Sequence, residues 1–198
     1  MDLLSITNDY IKQGYKLICG VDEAGRGPLA GPVYAAAVIL PIDLQIPGLN
    51  DSKKLSSSKR DELYDMIIKT AVSYSIESAS NDEIDSLNIL NATFLAMNRA
   101  INALSIKPDK ILIDGNLNKG INTVSEYIIR GDSKVESIAA ASILAKVSRD
   151  RYMLELDSIY PQYGFAKHKG YGTKLHYEKL REFGISNAHR KTFLRKII

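Results

Sequence analysis

Apolar residues along this chain gather in short runs that alternate with stretches where they recur every three or four positions. Leu17-Ile18-Cys19-Gly20-Val21, bounded by Lys16 and Asp22, predicts a buried strand. Val33 to Leu40 predicts a second strand, closed by Pro41. Only the Gly/Pro-rich stretch Gly25 to Pro32 separates the two. A parallel crossover needs a dozen or more residues, so this pair is expected to be antiparallel. Residues 42–56 read as loop, and a helix is expected to start near Ser58, whose spacing to Asp61 fits a capping box, with Leu63, Ile67 and Ile68 on one face. Val72, Tyr74 and Ile76 alternate with Ser73, Ser75 and Glu77, the pattern of a half-exposed strand. Asn81 is expected to cap a short acidic turn, before a longer helix carrying Leu90, Phe94, Met97 and Ile101.

The second half continues the alternation. Lys110 to Gly115 predicts a buried strand ending in a carboxylate and a glycine, and Thr123 to Ile129 a further strand ending at Gly131-Asp132. A long helix rich in small residues follows from Ser137 to about Leu156, and Pro161 closes that region. A loop from Tyr163 to Gly172, a helix from about Thr173 to Gly184, and a last basic segment with Ala188-His189-Arg190 complete the chain. The expected class is α/β, a mixed sheet flanked by helices.

Composition narrows the picture. The 198 residues are 45% hydrophobic and 25% charged, which excludes a disordered chain and suits one domain with or without a small appendage. No apolar run approaches the ~18 residues of a membrane span. The N-terminus carries early acids and lacks a basic segment followed by an apolar one, which argues against a secretory signal. The single cysteine, Cys19, excludes an intramolecular disulfide framework, fits a reducing cytoplasm, and reads as a small core residue. The net charge of +3 hides a gradient. Residues 146–198 hold 12 Lys and Arg against 5 Asp and Glu, and all three histidines (His168, His176, His189). Such a tail is either a solvated face or a phosphate-backbone footprint.

Three strands are expected to end in acids: Val21-Asp22-Glu23, Ile113-Asp114-Gly115 and Arg130-Gly131-Asp132. Ligands of open α/β sheets bind at the carboxyl ends of strands, where these acids can converge. Gathered carboxylates repel one another and call for a hard cation, Mg²⁺ or Mn²⁺ rather than zinc, since Cys19 is solitary and no His-x₃-His spacing occurs. Asp22 and Glu23 are neighbours and face opposite sides of a regular strand, so a shared site requires a bend, which Gly25 and Gly27 permit.

At these residues the chain resembles a known family. Gly20-Val21-Asp22-Glu23-Ala24-Gly25-Arg26-Gly27-Pro28-Leu29-Ala30-Gly31-Pro32-Val33 is similar to the N-terminal signature of ribonuclease HII, the type 2 ribonuclease H. Asp51-Ser52-Lys53-Lys54-Leu55, Asp114-Gly115-Asn116, Gly131-Asp132-Ser133-Lys134, the helix Ile138 to Asp150, His168-Lys169-Gly170-Tyr171-Gly172-Thr173 and His189-Arg190-Lys191-Thr192-Phe193 resemble that family in order and spacing. The resemblance covers residues 16–194.

The resemblance implies a ribonuclease H-like fold with a helical C-terminal extension. Residues 1–160 would form the catalytic core, and 161–198 a substrate-binding portion packed on it as one unit. It implies hydrolysis of the RNA strand of RNA/DNA hybrids, and cutting 5′ of single ribonucleotides embedded in duplex DNA. The family's four catalytic and metal-holding carboxylates map onto Asp22, Glu23, Asp114 and Asp132. Two Mg²⁺ or Mn²⁺ ions held there would activate a water and neutralise the leaving 3′-oxygen, giving 5′-phosphate and 3′-hydroxyl ends. Gly25, Arg26 and Gly27 match the loop that reads the 2′-hydroxyl, the group that separates RNA from DNA. Tyr171 matches the tyrosine that packs on the deoxyribose after the ribonucleotide. Ser52, Lys53, Lys54, Ser142 and Lys146 resemble phosphate contacts, and the basic tail becomes a duplex-binding surface. A soluble monomer in the cytoplasm is expected, without membrane association.

The histidines carry no role in this reading and are expected at the surface or at helix ends, and Asp150 is expected to be an ion-pair partner. Ribonuclease HIII, the sister enzyme, is disfavoured by Arg26 where it has lysine, by Asp132 where it has glutamate, and by the ~15 residues before the first strand. A silent nucleic-acid binder is disfavoured because acids repel phosphate. A dinucleotide site would need a third glycine and a helix start.

Overall fold

The chain enters through a short helix, α1 (Ser5–Lys12), and passes into two strands, β1 (Ile18–Ala24) and β2 (Val33–Ile39). They are antiparallel, in register from Cys19↔Ile39 to Ala24↔Tyr34. The structure, a computed structural model, describes residues 3, 5–42, 44–50, 52–116 and 120–195. Asp51 and the side chain of Lys54 lie outside the described residues.

Next come α2 (Ser57–Thr70), β3 (Ser73–Ala79), α3 (Asn81–Leu87) and α4 (Ile89–Asn102). The expected capping residues each shift by one or two places. Ser56, not Ser58, caps α2 by accepting from the Lys59 N–H at 3.2 Å. Ser80, not Asn81, caps α3 through a reciprocal box with Glu83. In both cases the serine just before the helix is extended, which aims its hydroxyl at the third N–H. β4 (Lys110–Asp114) follows as predicted, but β5 (Glu126–Ile128) is shorter than the expected Thr123 to Ile129. It is an edge strand that pairs only with β4, and Val124 before it is fully exposed.

The sheet order is β3-β2-β1-β4-β5, with β1, β4 and β5 parallel and β2 and β3 antiparallel. The long helix α5 (Glu136–Ile159) crosses one face, with Ala139, Ala140, Ala141 and Ala145 buried. Small side chains let it lie directly on the sheet. At Gly20 of β1 a Cβ would sit 2.1 Å from the Ser137 carbonyl carbon, so only glycine fits there. α4 covers the opposite face, presenting Ala92, Ala96, Met97, Ala100 and Ile101 to Cys19, Val21 and Ile113. The predicted stripe is thus displaced, with Leu90 and Phe94 only half-buried.

β3 also corrects the pattern. Tyr74 and Val72 are exposed while Ser73 and Ser75 are buried under α4. Their hydroxyls are satisfied, Ser75 by the Ala100 carbonyl and Ser73 by Ser105 at 3.0 Å, so polar residues are stable on the inner face.

The C-terminal portion is more ordered than the expected loop. A 3-10 turn (Pro161–Tyr163) and α6 (Phe165–His168) precede α7 (Lys174–Phe183) and α8 (Lys191–Leu194). Tyr163, Phe165, Leu180 and Leu194 pack against Leu29, Ala30 and Met153, which binds this portion to the rest of the chain. All three histidines are buried here, against expectation: His168 is 8% exposed, and His176 and His189 are 0%. Among the described residues no helix is long and apolar enough to cross a membrane.

Candidate active site

Asp22 and Glu23 lie inside β1, which pairs with β2 through Ala24 without the expected bend. They reach a common space for another reason. Pairing of β1 with β4 stops at Val21↔Ile113, so both acids stand where the neighbouring strand ends. Asp114 terminates that neighbour and lines the same cleft. The cleft has a volume of about 250 Å³. Its walls bring together most of the sequence-predicted residues: Asp22, Glu23 and Asp114, the loop Gly25, Arg26 and Gly27, then Ser52, Lys53, Ser142, Lys146 and Tyr171.

Asp132 comes from a 3-10 turn (Gly131–Ser133), not from a strand end. The Gly131 N–H donates to Asp114 Oδ1 at 2.6 Å, which ties the turn to the last residue of β4. Asp132 itself is buried, with Oδ2 3.8 Å from the exposed Lys53 ammonium.

Burial pushes the Asp22 carboxyl well above the ordinary carboxylate range, and the Glu23 and Asp114 charges push it further. The Ser142 hydroxyl and the Glu23 N–H, at 2.7 Å, act in the opposite direction. Glu23 is raised by burial, resisted by Arg26 at 3.3 Å, and raised again by Asp114. Acids crowded in this way are relieved by a cation. The donor set is entirely carboxylate oxygen, the chemistry of Mg²⁺ and Mn²⁺. Among the described residues no three acid, histidine or cysteine side chains already converge as a metal cage. The residues fit a divalent cation by charge and donor type.

The remaining predicted residues differ in how free they are. Ser52 and Ser142 are buried and bonded to each other at 2.9 Å. Lys146 is held by Asp150 at 2.7 Å, the ion-pair role expected for that aspartate. Tyr171 is 44% exposed, its ring close to Gly27 and 5.9 Å from the Arg149 guanidinium. Its backbone is fixed from behind by the histidines. The Tyr171 N–H donates to the His168 carbonyl at 2.9 Å, and His176 Nδ1 bonds the Tyr171 carbonyl at 3.0 Å. Sequence reasoning missed these histidines, and also Arg149 and Arg190, which are fully buried beside the glycine loop. Nothing in a basic, polar segment marks such residues as interior.

The ribonuclease HII family model matches residues 19–196. A ribonuclease HII of Coxiella burnetii is 59% identical over 177 residues, covering 89% of this chain and 88% of that one. A ribonuclease HII of Clostridioides difficile is 54% identical over 191 residues, covering 96% of this chain and 75% of that one. Among solved structures, the ribonuclease H2 of Pyrococcus horikoshii superposes with a TM-score of 0.75 at 29% identity, covering 91% of this chain and 96% of that one. Sequence and fold agree over almost the whole length, and the chain belongs to the ribonuclease HII family, a family of metal-dependent ribonucleases.

Proposed function

We propose that this enzyme hydrolyses the RNA strand of RNA/DNA hybrids and also cuts on the 5′ side of single ribonucleotides embedded in duplex DNA, leaving 5′-phosphate and 3′-hydroxyl ends. The observation that carries the reading is the meeting of Asp22, Glu23 and Asp114 with the Gly25–Gly27 loop and Tyr171 in one cleft. Asp22, Glu23, Asp114 and Asp132 are the catalytic and metal-holding carboxylates of the proposal. Two divalent ions, Mg²⁺ or Mn²⁺, would supply an activated water and neutralise charge at the leaving 3′-oxygen.

The chain's own residues prepare that chemistry. Ser142 steadies Asp22, the Gly131 N–H steadies Asp114, and Arg26 keeps Glu23 at the cleft wall. Backbone groups of Gly25, Arg26 and Gly27 meet the ribose, whose 2′-hydroxyl distinguishes RNA. Tyr171 packs on the following deoxyribose. Ser52, Lys53, Lys54, Ser142 and Lys146 serve the phosphates, with Lys146 shared between phosphate and Asp150. The working unit is a monomer in the cytoplasm, residues 1–160 forming the core and 161–198 the substrate-binding portion.

The deciding assay is a DNA duplex holding one ribonucleotide, incubated with Mg²⁺ or Mn²⁺, with product ends mapped. A single cut 5′ of the ribonucleotide is expected. Cutting of long hybrids alone, or on the 3′ side, overturns the proposal.

A further inference from the structure

Among the described residues Arg149 and Arg190 are the two largest fully buried side chains, 1% and 0% exposed. Burying a guanidinium is costly unless its donors are satisfied. Among the described residues all their hydrogen-bond partners are backbone carbonyls. Arg190 donates from Nη2 to Gly25 at 2.7 Å and to Pro32 at 3.2 Å, from Nη1 to Arg26 at 2.9 Å, and from Nε to Gly31 at 2.8 Å. Arg149 donates from Nε to Pro32 at 3.1 Å, from Nη2 to Ala30 at 3.2 Å, and from Nη1 to Lys169 at 3.1 Å. Six of these seven bonds end on residues 25–32, the loop between β1 and β2. Two like charges are therefore kept together in the interior to hold one loop.

Peptide geometry gives this a consequence. In a trans peptide the C=O and the next N–H point in opposite directions, and the described chain has no cis bond. The Gly25 and Arg26 carbonyls point inward to Arg190. The N–H groups of Arg26 and Gly27 therefore point away from Arg190, and both residues line the cleft. Among the described residues neither N–H has a backbone carbonyl partner. Gly25 is left-handed at φ +97°, and a Cβ there would fall 2.0 Å from Arg149 Nε. Loop and arginines thus require each other.

We propose that Arg190, supported by Arg149, is a positioning residue for ribose recognition. Holding the Gly25 and Arg26 carbonyls inward, it presents the Arg26 and Gly27 N–H groups as two fixed donors for one sugar hydroxyl oxygen. The proposal rests on the reading that this loop meets the ribose. Such donors act without reorganising when substrate arrives. A lysine keeps the charge but lacks the planar fork that spans several carbonyls at once.

The test compares two duplexes, one all-deoxy and one with a single ribonucleotide, by anisotropy with Ca²⁺ replacing the catalytic ion. Wild type is expected to prefer the ribonucleotide, and Arg190→Lys to narrow that preference by about tenfold, one to two hydrogen bonds' worth. Arg149→Lys is expected to narrow it less. A folded Arg190→Lys that weakens both duplexes equally, or neither, overturns the positioning role. An absence of preference in wild type instead overturns the ribose reading itself. Should Arg190→Lys fail to fold, the wild-type amides decide. The ¹⁵N signals of Arg26 and Gly27 are expected to exchange freely in the apo enzyme and to shift only with the ribonucleotide duplex. Protection before substrate is added, or equal shifts with the all-deoxy duplex, overturns the proposal.

Discussion

Asp132 shows how little of a residue's role lies in its own neighbourhood. Its carboxylate is buried, the exposed Lys53 ammonium lies 3.8 Å from it, and its turn is tethered to Asp114 through Gly131. Asp132→Asn keeps the shape and removes one negative charge. With Mg²⁺, nicking is expected to fall by roughly three orders of magnitude, the scale of losing one electrostatic group in a closed site. Hybrid binding, measured by anisotropy, is expected to persist. Retained nicking would remove Asp132 from the catalytic set. Tyr171 is the complementary case, since its ring is exposed while its backbone is held by His168 and His176. Base–aromatic stacking contributes about 1–3 kcal/mol, and a ring packed on a sugar falls toward the lower end of that scale. Tyr171→Ala is therefore expected to slow cutting at a lone ribonucleotide about tenfold, with a smaller loss on long hybrids. An equal loss on both substrates rejects junction sensing.

The contact of β1 with α5 is the element on which the site depends. Gly20 and Asp22 share the strand face that meets α5, and Ser142, which steadies Asp22, lies further along that helix. Gly20→Ala would force a methyl onto backbone, with Ser137 and Ile138 atoms 2.1–2.4 Å from the new carbon. Backbone gives way less readily than a side chain, so a loss of at least about 3 kcal/mol in urea unfolding is expected. Nicking should fall with it as Ser142 moves off Asp22. A stability loss below 1 kcal/mol would mean that helix and strand slide freely. The sequence pattern made β1, β2, β4 and α5 legible because continuous apolar runs and small-residue stripes admit few other placements. It found β3 as a half-exposed strand but did not show which face is inner, because buried Ser73 and Ser75 gain partners visible only in three dimensions. It lengthened β5, whose apolar Val124 and Ile129 are exposed at the sheet edge. Asp22, Glu23 and Asp114 were legible as acids that meet at one end of the sheet, while Asp132 had to be moved from a strand end to a 3-10 turn.

Over the whole molecule, counted charge and surface charge part company. The basic tail holds two arginines that never meet solvent, and Lys146 and Lys179 are committed to Asp150 and Glu182 at 2.7 Å. If the tail meets a duplex as proposed, fewer of its cations are available than the count implies, and part of its charge serves internal order. The histidines extend that internal role. His189 Nδ1 accepts from the Ser186 N–H at 3.0 Å, so its proton sits on Nε2 and is donated to His176 Nε2 at 3.1 Å. His176 then carries its proton on Nδ1, toward the Tyr171 carbonyl at 3.0 Å. His168 accepts from the Gly170 N–H at Nδ1 and donates from Nε2 to the Tyr163 carbonyl at 2.9 Å. Every ring nitrogen is used, and an added proton breaks a bond in the chain that holds Tyr171. Burial lowers all three, with His176 and His189 brought down to about 4 and each further lowered by a neighbouring ring. Because these folded values lie below the unfolded ~6.5, the unfolded chain binds more protons between them. Stability from this source is complete above pH 6.5 and is lost as pH falls toward 4. Urea unfolding across that window is expected to show a slope approaching two protons, about 1.4 kcal/mol per proton per pH unit. In His189→Gln, whose amide can replace the donor to His176, the slope is expected to fall by about one proton. An unchanged slope in that variant would mean that other groups, not this buried trio, set the acid limit of the fold.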